Sequence, residues 1–207
     1  FNFDPYGGIV QAAEQCNGSA DCRKTLLSGG TMCPSYMATK REQDTTRARA
    51  NILREVLTRS SDENPFASPE IKEVMDLCLS CKGCKAECPS NVDVAKLKAE
   101  WLQQRYQTEG IPFRTRLIAG FDRANQLASL MPAIYNFIIS NSVTSGFIKR
   151  LSGFAKERLL PKLHHTSLRK WFDSQLVATG EGKKVVFFCD EFTNYNDTDI
   201  GIVAIKL

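Results

Sequence analysis

From Thr39 to Thr58 the apolar positions Ala48, Ile52, Leu53 and Val56 recur at helical spacing, with charged side chains on the opposite face. That period predicts one amphipathic helix over the whole stretch. The segment "SSDENPFASPE" then breaks the pattern with two prolines and reads as a linker. Within it, Ser68 followed by Pro69 is an N-cap and first-position signal for a helix from Glu70 to about Leu77. After Pro89, "SNVDVAKLKAEWLQQRYQTEG" is again helical and is stopped by Gly110. Residues 111–178 continue as helices punctuated by Pro112, Pro132 and Pro161. The pattern changes at "KKVVFFCDEF" (183–192), an apolar run of strand type centred on 184–189. A helix follows in "TDIGIVAIKL", with Asp197 or Thr198 as its cap. Residues 1–35, rich in Gly and Cys, predict loops and short helices. The expected fold class is mainly α, followed by the first strand and helix of an incomplete α/β domain.

With 43% hydrophobic residues, the 207-residue chain can bury a substantial core. Its net charge of +4 is too small to imply nucleic-acid binding. No window reaches the eighteen apolar residues of a spanning helix. The longest apolar stretch, "LASLMPAIYNFIIS", is interrupted by Pro132 and Asn136 and reads as a core or interface helix. "FNFDPYGGIV" has no charged leader or apolar core of a signal peptide. The chain opens without Met and closes in mid-helix, which leads us to expect a piece of a longer polypeptide.

Cysteine narrows the reading most. Of eight cysteines, seven (Cys16, Cys22, Cys33, Cys78, Cys81, Cys84 and Cys88) precede residue 89, and Cys189 stands apart. Clustered thiols without a secretory signal point to metal ligands rather than disulfides. The run "CLSCKGCKAECP" is C-x2-C-x2-C-x3-C-P, the spacing of bacterial two-cluster ferredoxins, in which the fourth Cys serves the other cluster. Two-residue gaps let three thiolates wrap three corners of a cubane. The proline then turns the chain away and removes one unsatisfied donor. The first three thiols then need a partner, and Cys33-Pro34 is the matching crossover: "MCPSYMA" and "ECPSNVDV" repeat Cys-Pro-Ser. A first site, A, is expected from Cys33, Cys78, Cys81 and Cys84, holding a 4Fe-4S cluster. A second, B, is expected from Cys16, Cys22 and Cys88. "CNGSADC" is C-x5-C and lacks a middle cysteine, so B is a 4Fe-4S cluster with a foreign ligand, a 3Fe-4S cluster, or no cluster, Cys16 and Cys22 then being ordinary loop cysteines. The competing reading is a zinc-stabilised structural or nucleic-acid interaction module. Zinc ribbons, however, space two C-x2-C knuckles by about 15–20 residues.

The segments "CNGSADCRK", "MCPSYMATKREQDTTRARANILREVL" and "DLCLSCKGCKAECPSNVDVAKLKAEWL" resemble the α-helical ferredoxin segment of FAD-linked oxidases of the D-lactate, glycolate and D-2-hydroxyglutarate dehydrogenase type. The iron–sulfur subunits of anaerobic glycerol-3-phosphate dehydrogenase and heterodisulfide reductase are more distantly similar. The resemblance covers residues 10–105 with specific motifs and 106–180 weakly. It implies an α-helical ferredoxin with two Cys-Pro cluster loops at 1–110, a helical connecting region at 111–180, and the start of a truncated CCG-type α/β domain at 181–207. It also implies FAD on a domain absent from this chain, of vanillyl-alcohol-oxidase-like fold.

The expected function is therefore electron transfer: from FAD reduced by a 2-hydroxy acid, through iron–sulfur clusters, to a quinone or an electron-transfer protein. The FAD-binding domain is the expected partner, with no nucleic acid, in the cytoplasm or peripherally at the inner face of the membrane. No residue here reads as a catalytic acid, base or nucleophile. Arg47, Arg49 and Arg54 either steady the charge of a cluster, meet the flavin domain or form a solvated face. Lys82 and Lys85, inside the cluster loop, should raise the cluster potential slightly. His164 and His165 read as surface residues, and Cys189 as a buried structural thiol on the expected strand.

Overall fold

The computed structural model describes residues 1–175, 183 and 185–207. The protein is mainly α, and among the described residues there is no strand. Two compact units divide the chain, Phe1–Gly110 and Ile111–Leu207.

The first unit contains α1 (Ile9–Glu14), α2 (Pro34–Thr39), α3 (Thr46–Arg59), α4 (Pro69–Asp76), α5 (Gly83–Glu87) and α6 (Val94–Glu109), linked by four short 3-10 turns. Its centre is α3, which packs against α1, α4 and α6. Met32, Ala50, Leu53, Ile71, Met75 and Val92 are fully shielded from solvent there. Trp101 of α6 closes one side, its indole N–H donating to the Phe66 carbonyl at 2.9 Å. The Ser68 cap forms as expected, its hydroxyl accepting from Glu70 N at 3.2 Å and Ile71 N at 3.4 Å. Gly110 likewise ends α6.

The single helix expected over 39–58 is corrected. Lys40 turns left-handed and ends α2, a 3-10 turn follows at Glu42–Asp44, and α3 begins at Thr46. Thr45 decides that start, because its hydroxyl accepts from Ala48 N at 3.0 Å as an N-cap.

The second unit contains α7 (Phe113–Ala119), α8 (Phe121–Ala128), α9 (Pro132–Ser140), α10 (Ser142–Ser152), α11 (Leu168–Ser174), α12 (Glu191–Tyr195) and α13 (Thr198–Lys206). Asparagines tie it together. Asn136 donates to Leu163 O at 2.7 Å and accepts from Leu163 N at 2.8 Å. Asn196 donates to Lys162 O at 2.8 Å. Gly201 of α13 sits directly on Leu168, leaving no room for a Cβ. Apolar side chains on α9 and α10, among them Ile134, Phe137, Val143, Phe147 and Leu151, face solvent.

The strand expected within 183–192 is absent among the described residues. Residues 185–190 run unpaired, with Val185, Val186 and Phe188 exposed, while Lys184 lies outside the described residues. A strand needs a neighbouring ladder to satisfy its N–H and C=O groups, and none of the described residues provides one. Cys189, expected to be buried in a sheet, is accordingly only half-buried. The helix expected after Asp197 is α13. Residues 176–178 of the expected helical region, and 181 and 182 of the expected third domain, also lie outside the described residues.

Candidate metal centre

Cys33, Cys78, Cys81 and Cys84, drawn from two loops about fifty residues apart, line a single recess. Pro34, Ser35, Thr46, Arg49, Leu79, Ser80 and Lys82 complete its wall, with Val94 and Ala95 at the start of α6. The recess encloses about 310 Å³, its open mouth included. Cys33 and Cys84 are buried, Cys78 is half-buried and Cys81 is exposed at the mouth.

The backbone around these thiols is bent out of the ordinary regions. Cys33 (φ 59°), Ser80 (φ 54°) and Lys82 (φ 62°) are all left-handed without being glycine. Such conformations cost roughly 1–3 kcal/mol each and cluster where function requires them. Here they turn the Cys33 loop and the Cys78–Cys84 loop around one space.

A carboxylate joins the two loops. Glu87, at the end of α5, accepts from Thr31 N at 2.6 Å, Thr31 Oγ1 at 2.8 Å and Met32 N at 3.2 Å. Lys24 Nζ lies 2.6 Å from the same carboxylate. The Lys24 ammonium, then the Thr31 N–H and hydroxyl, hold the Glu87 carboxyl down to about 2. Gly83, the first residue of α5, lies so close that an added Cβ would stand 3.1 Å from the Thr31 carbonyl oxygen.

The surroundings of the thiols are rich in donors. Arg49 Nη1 donates to Cys33 Sγ at 3.5 Å, and the Thr46 hydroxyl lies 3.4 Å from the same sulfur. The backbone N–H groups of Val94 and Ala95 favour a Cys84 thiolate, although burial is the larger influence and pushes that thiol up. These amides belong to the first turn of a 16-residue helix, where unpaired N–H groups and the helix dipole favour negative charge. Lys98 Nζ donates to Met75 O and Cys78 O, both at 2.7 Å, behind the Cys78 wall. Burial pulls the Lys98 ammonium down, and the charge of Cys78 opposes that shift.

These residues fit an iron–sulfur cluster. The recess offers four thiols at its edge, and hydrogen-bond donors accompany the buried ones. A zinc ribbon fits the sequence less well, because its two C-x2-C knuckles usually stand about 15–20 residues apart. As the side chains stand, no three His, Cys, Asp or Glu among the described residues, the recess thiols included, are placed to hold one metal ion.

Cys16, Cys22 and Cys88 stand outside the recess and pack on the same hydrophobic core. Cys22 is buried, and that burial raises its thiol; the Arg47 amide and Thr45 hydroxyl pull the other way, and the charges of Cys33 and Cys16 add to the rise. The three arginines of α3 separate. Arg47 pairs with Glu42, Arg54 is half-buried, and Arg49 is buried in the recess wall. Lys82 is exposed at the mouth, and Lys85 is half-buried. His165 is exposed, whereas His164 is largely covered and lies 3.3 Å from Asp199. Sequence reasoning passed over Glu87, Lys98, Ser35 and Thr46. The one signal for Glu87 was its being the only acid between Cys78 and Pro89.

Residues 15–93 match the family model of the 4Fe-4S dicluster domain. Over 95% of its length the chain is 26% identical to a D-2-hydroxyglutarate dehydrogenase of Escherichia coli, of which it covers 24%. Enzymes of the same name from Pantoea ananatis and Pseudomonas putida are 24% and 22% identical over 92% and 91% of this chain, which covers 23% of each. The chain thus spans about a quarter of the length of the curated relatives it matches. No solved structure matches it. The match to the 4Fe-4S domain, with these relatives beside it, supports an iron–sulfur electron-transfer role. Among the described residues, no helix is long and apolar enough to cross a membrane.

Proposed function

We propose that this chain is the electron-relay segment of a flavin-dependent 2-hydroxy-acid dehydrogenase, with D-2-hydroxyglutarate as the first substrate to test. Cys33, Cys78, Cys81 and Cys84 hold a 4Fe-4S cluster. Cys16, Cys22 and Cys88 serve a second, incomplete site. When bound, such a cluster accepts and releases one electron at a time, which suits it to divide the electron pair taken from a hydroxy acid. On this reading FAD on another domain would supply the two-electron, two-proton oxidation of the hydroxy acid to a 2-oxo acid. The electrons leave singly for a quinone or an electron-transfer protein.

This chain's own residues hold and orient the thiols. Glu87 fixes the Cys33 loop on α5. Arg49 and Thr46 face Cys33, and the amides of Val94 and Ala95 face Cys84. Exposed Cys81 leaves one edge of the recess open to a redox partner. The observation that carries the reading is the convergence of Cys33 with the Cys78–Cys84 loop on one recess.

The test is metal analysis of protein purified without oxygen. Brown protein containing iron and acid-labile sulfide in similar amounts supports the relay. Colourless protein containing stoichiometric zinc refutes it.

A further inference from the structure

We propose that Arg49 is the buried counter-charge of the cysteine recess: a positioning residue that raises the reduction potential of the iron–sulfur cluster held there. The proposal rests on the reading of the recess as a cluster site.

Arg49 is 2% exposed, yet no carboxylate lies within ion-pair distance of it among the described residues. A guanidinium cannot shed its proton to escape burial. A buried, unpaired charge is strongly unfavourable, so such groups are found with an anion. The hydrogen bonds of Arg49 account for its orientation but not for its charge. Nε donates to Val74 O at 2.7 Å and Nη2 to Ser35 Oγ at 2.9 Å, both neutral acceptors. Nη1 points to Cys33 Sγ at 3.5 Å. The missing anion therefore lies on the side of the sulfur, where four thiols surround the recess that Arg49 lines. Deprotonated and bound to iron, they make that side negative.

The two neutral hydrogen bonds hold the planar fork with one edge toward Cys33. A cation fixed beside a redox centre favours the state that carries the extra electron. It should raise the potential and disfavour oxidation. Lys98 adds a second cation behind Cys78. At the exposed edge Lys82 adds a third cation, but it stands in solvent, where its charge is screened, so the buried Arg49 carries the compensation from the protein side.

A purely structural Arg49, strapping α3 to the end of α4, would affect stability but not potential. The experiment separates the two roles. The whole chain is prepared without oxygen as wild type, Arg49→Gln and Arg49→Lys. Iron and sulfide are counted, and the site-A reduction is titrated by electron paramagnetic resonance. Arg49→Gln should move the reduction equilibrium at least tenfold toward the oxidised form, a fall of about 59 mV for one electron. Arg49→Lys, which keeps the charge, should stay within threefold of wild type. With both variants loaded, the proposal is overturned by an Arg49→Gln at the wild-type potential or by an Arg49→Lys shifted as far as Arg49→Gln. If Arg49→Gln does not retain iron, Arg49→Lys decides: retention near the wild-type potential supports the charge role, and loss refutes it. A wild-type chain without iron and sulfide sinks the relay reading, and this proposal with it.

Discussion

Glu87 accepts both the backbone N–H and the hydroxyl of Thr31, 56 residues away in the chain, at 2.6 and 2.8 Å. Thr31 stands two residues before Cys33, and Glu87 three after Cys84 on the same short helix. The carboxylate therefore fixes the loop carrying one thiol against the helix carrying another. Replacing Glu87 with Ala would strand the Thr31 and Met32 amides and release Lys24. The Cys33 loop should loosen, and site A should lose iron faster than wild type. We expect at least a several-fold faster loss to a chelator under anaerobic conditions, timed by absorbance. Glu87→Gln keeps one acceptor oxygen and should fall between the two. An Ala variant that keeps its iron as long as wild type would show that the carboxylate does not hold the loop.

Leu53 lies one helical turn beyond Arg49 on α3 and is wholly buried in the core. Leu53→Ala should destabilise the first unit by about 2–5 kcal/mol, through lost burial and the cavity left behind. Because Leu53 does not line the recess, the cluster potential should stay at its wild-type value. Anaerobic urea unfolding measures the first quantity and a redox titration the second. A potential that moves with Leu53→Ala would mean that core packing, rather than charge at Arg49, controls the site.

Ser68 caps α4 by accepting from two amides and is itself buried. Ser68→Ala should cost about 0.5–2 kcal/mol, the usual range for losing a helix cap. Thermal unfolding of the loaded chain would reveal it, with unchanged iron content. An unchanged midpoint would show that the Pro69 turn alone sets the start of α4.

Ser68-Pro69 was legible because a cap acts on the next three residues, and sequence displays neighbours. The Cys-Pro that repeats at 88–89 led us to expect Cys33 beside Cys78, Cys81 and Cys84, and all four line one recess; that they act as ligands is the proposal above. Glu87 and Lys98 were not legible, since their partners lie 56 and 20 or more residues away and only the folded chain brings them together. The start of α3 was misplaced because the apolar period gave no weight to Thr45, whose hydroxyl competes for the helix amides. The strand at 184–189 was inferred from apolar residues alone. Apolar content favours burial, but a strand also needs a partner edge, which a local pattern cannot supply.

The two proposed sites should behave unequally. Site A has four candidate thiols, Cys33, Cys78, Cys81 and Cys84, and its recess is lined by all of them. The proposed site B has only Cys16, Cys22 and Cys88 as candidate thiols, because the first motif lacks a middle cysteine. An iron corner without a thiolate must take water, hydroxide or a weaker side chain, and such an iron is readily lost. Site B should therefore be three-iron or empty after exposure to air, while site A persists. Cys81→Ser should damage A strongly, since that thiol has no spare. Cys22→Ser should affect B alone, even though Cys22 is close enough to sense the charge of Cys33. Electron paramagnetic resonance of oxidised and reduced protein, before and after air, resolves the sites. Two equivalent four-iron signals that survive air, with neither variant losing one selectively, would show that the missing thiol has been replaced by an equally strong ligand.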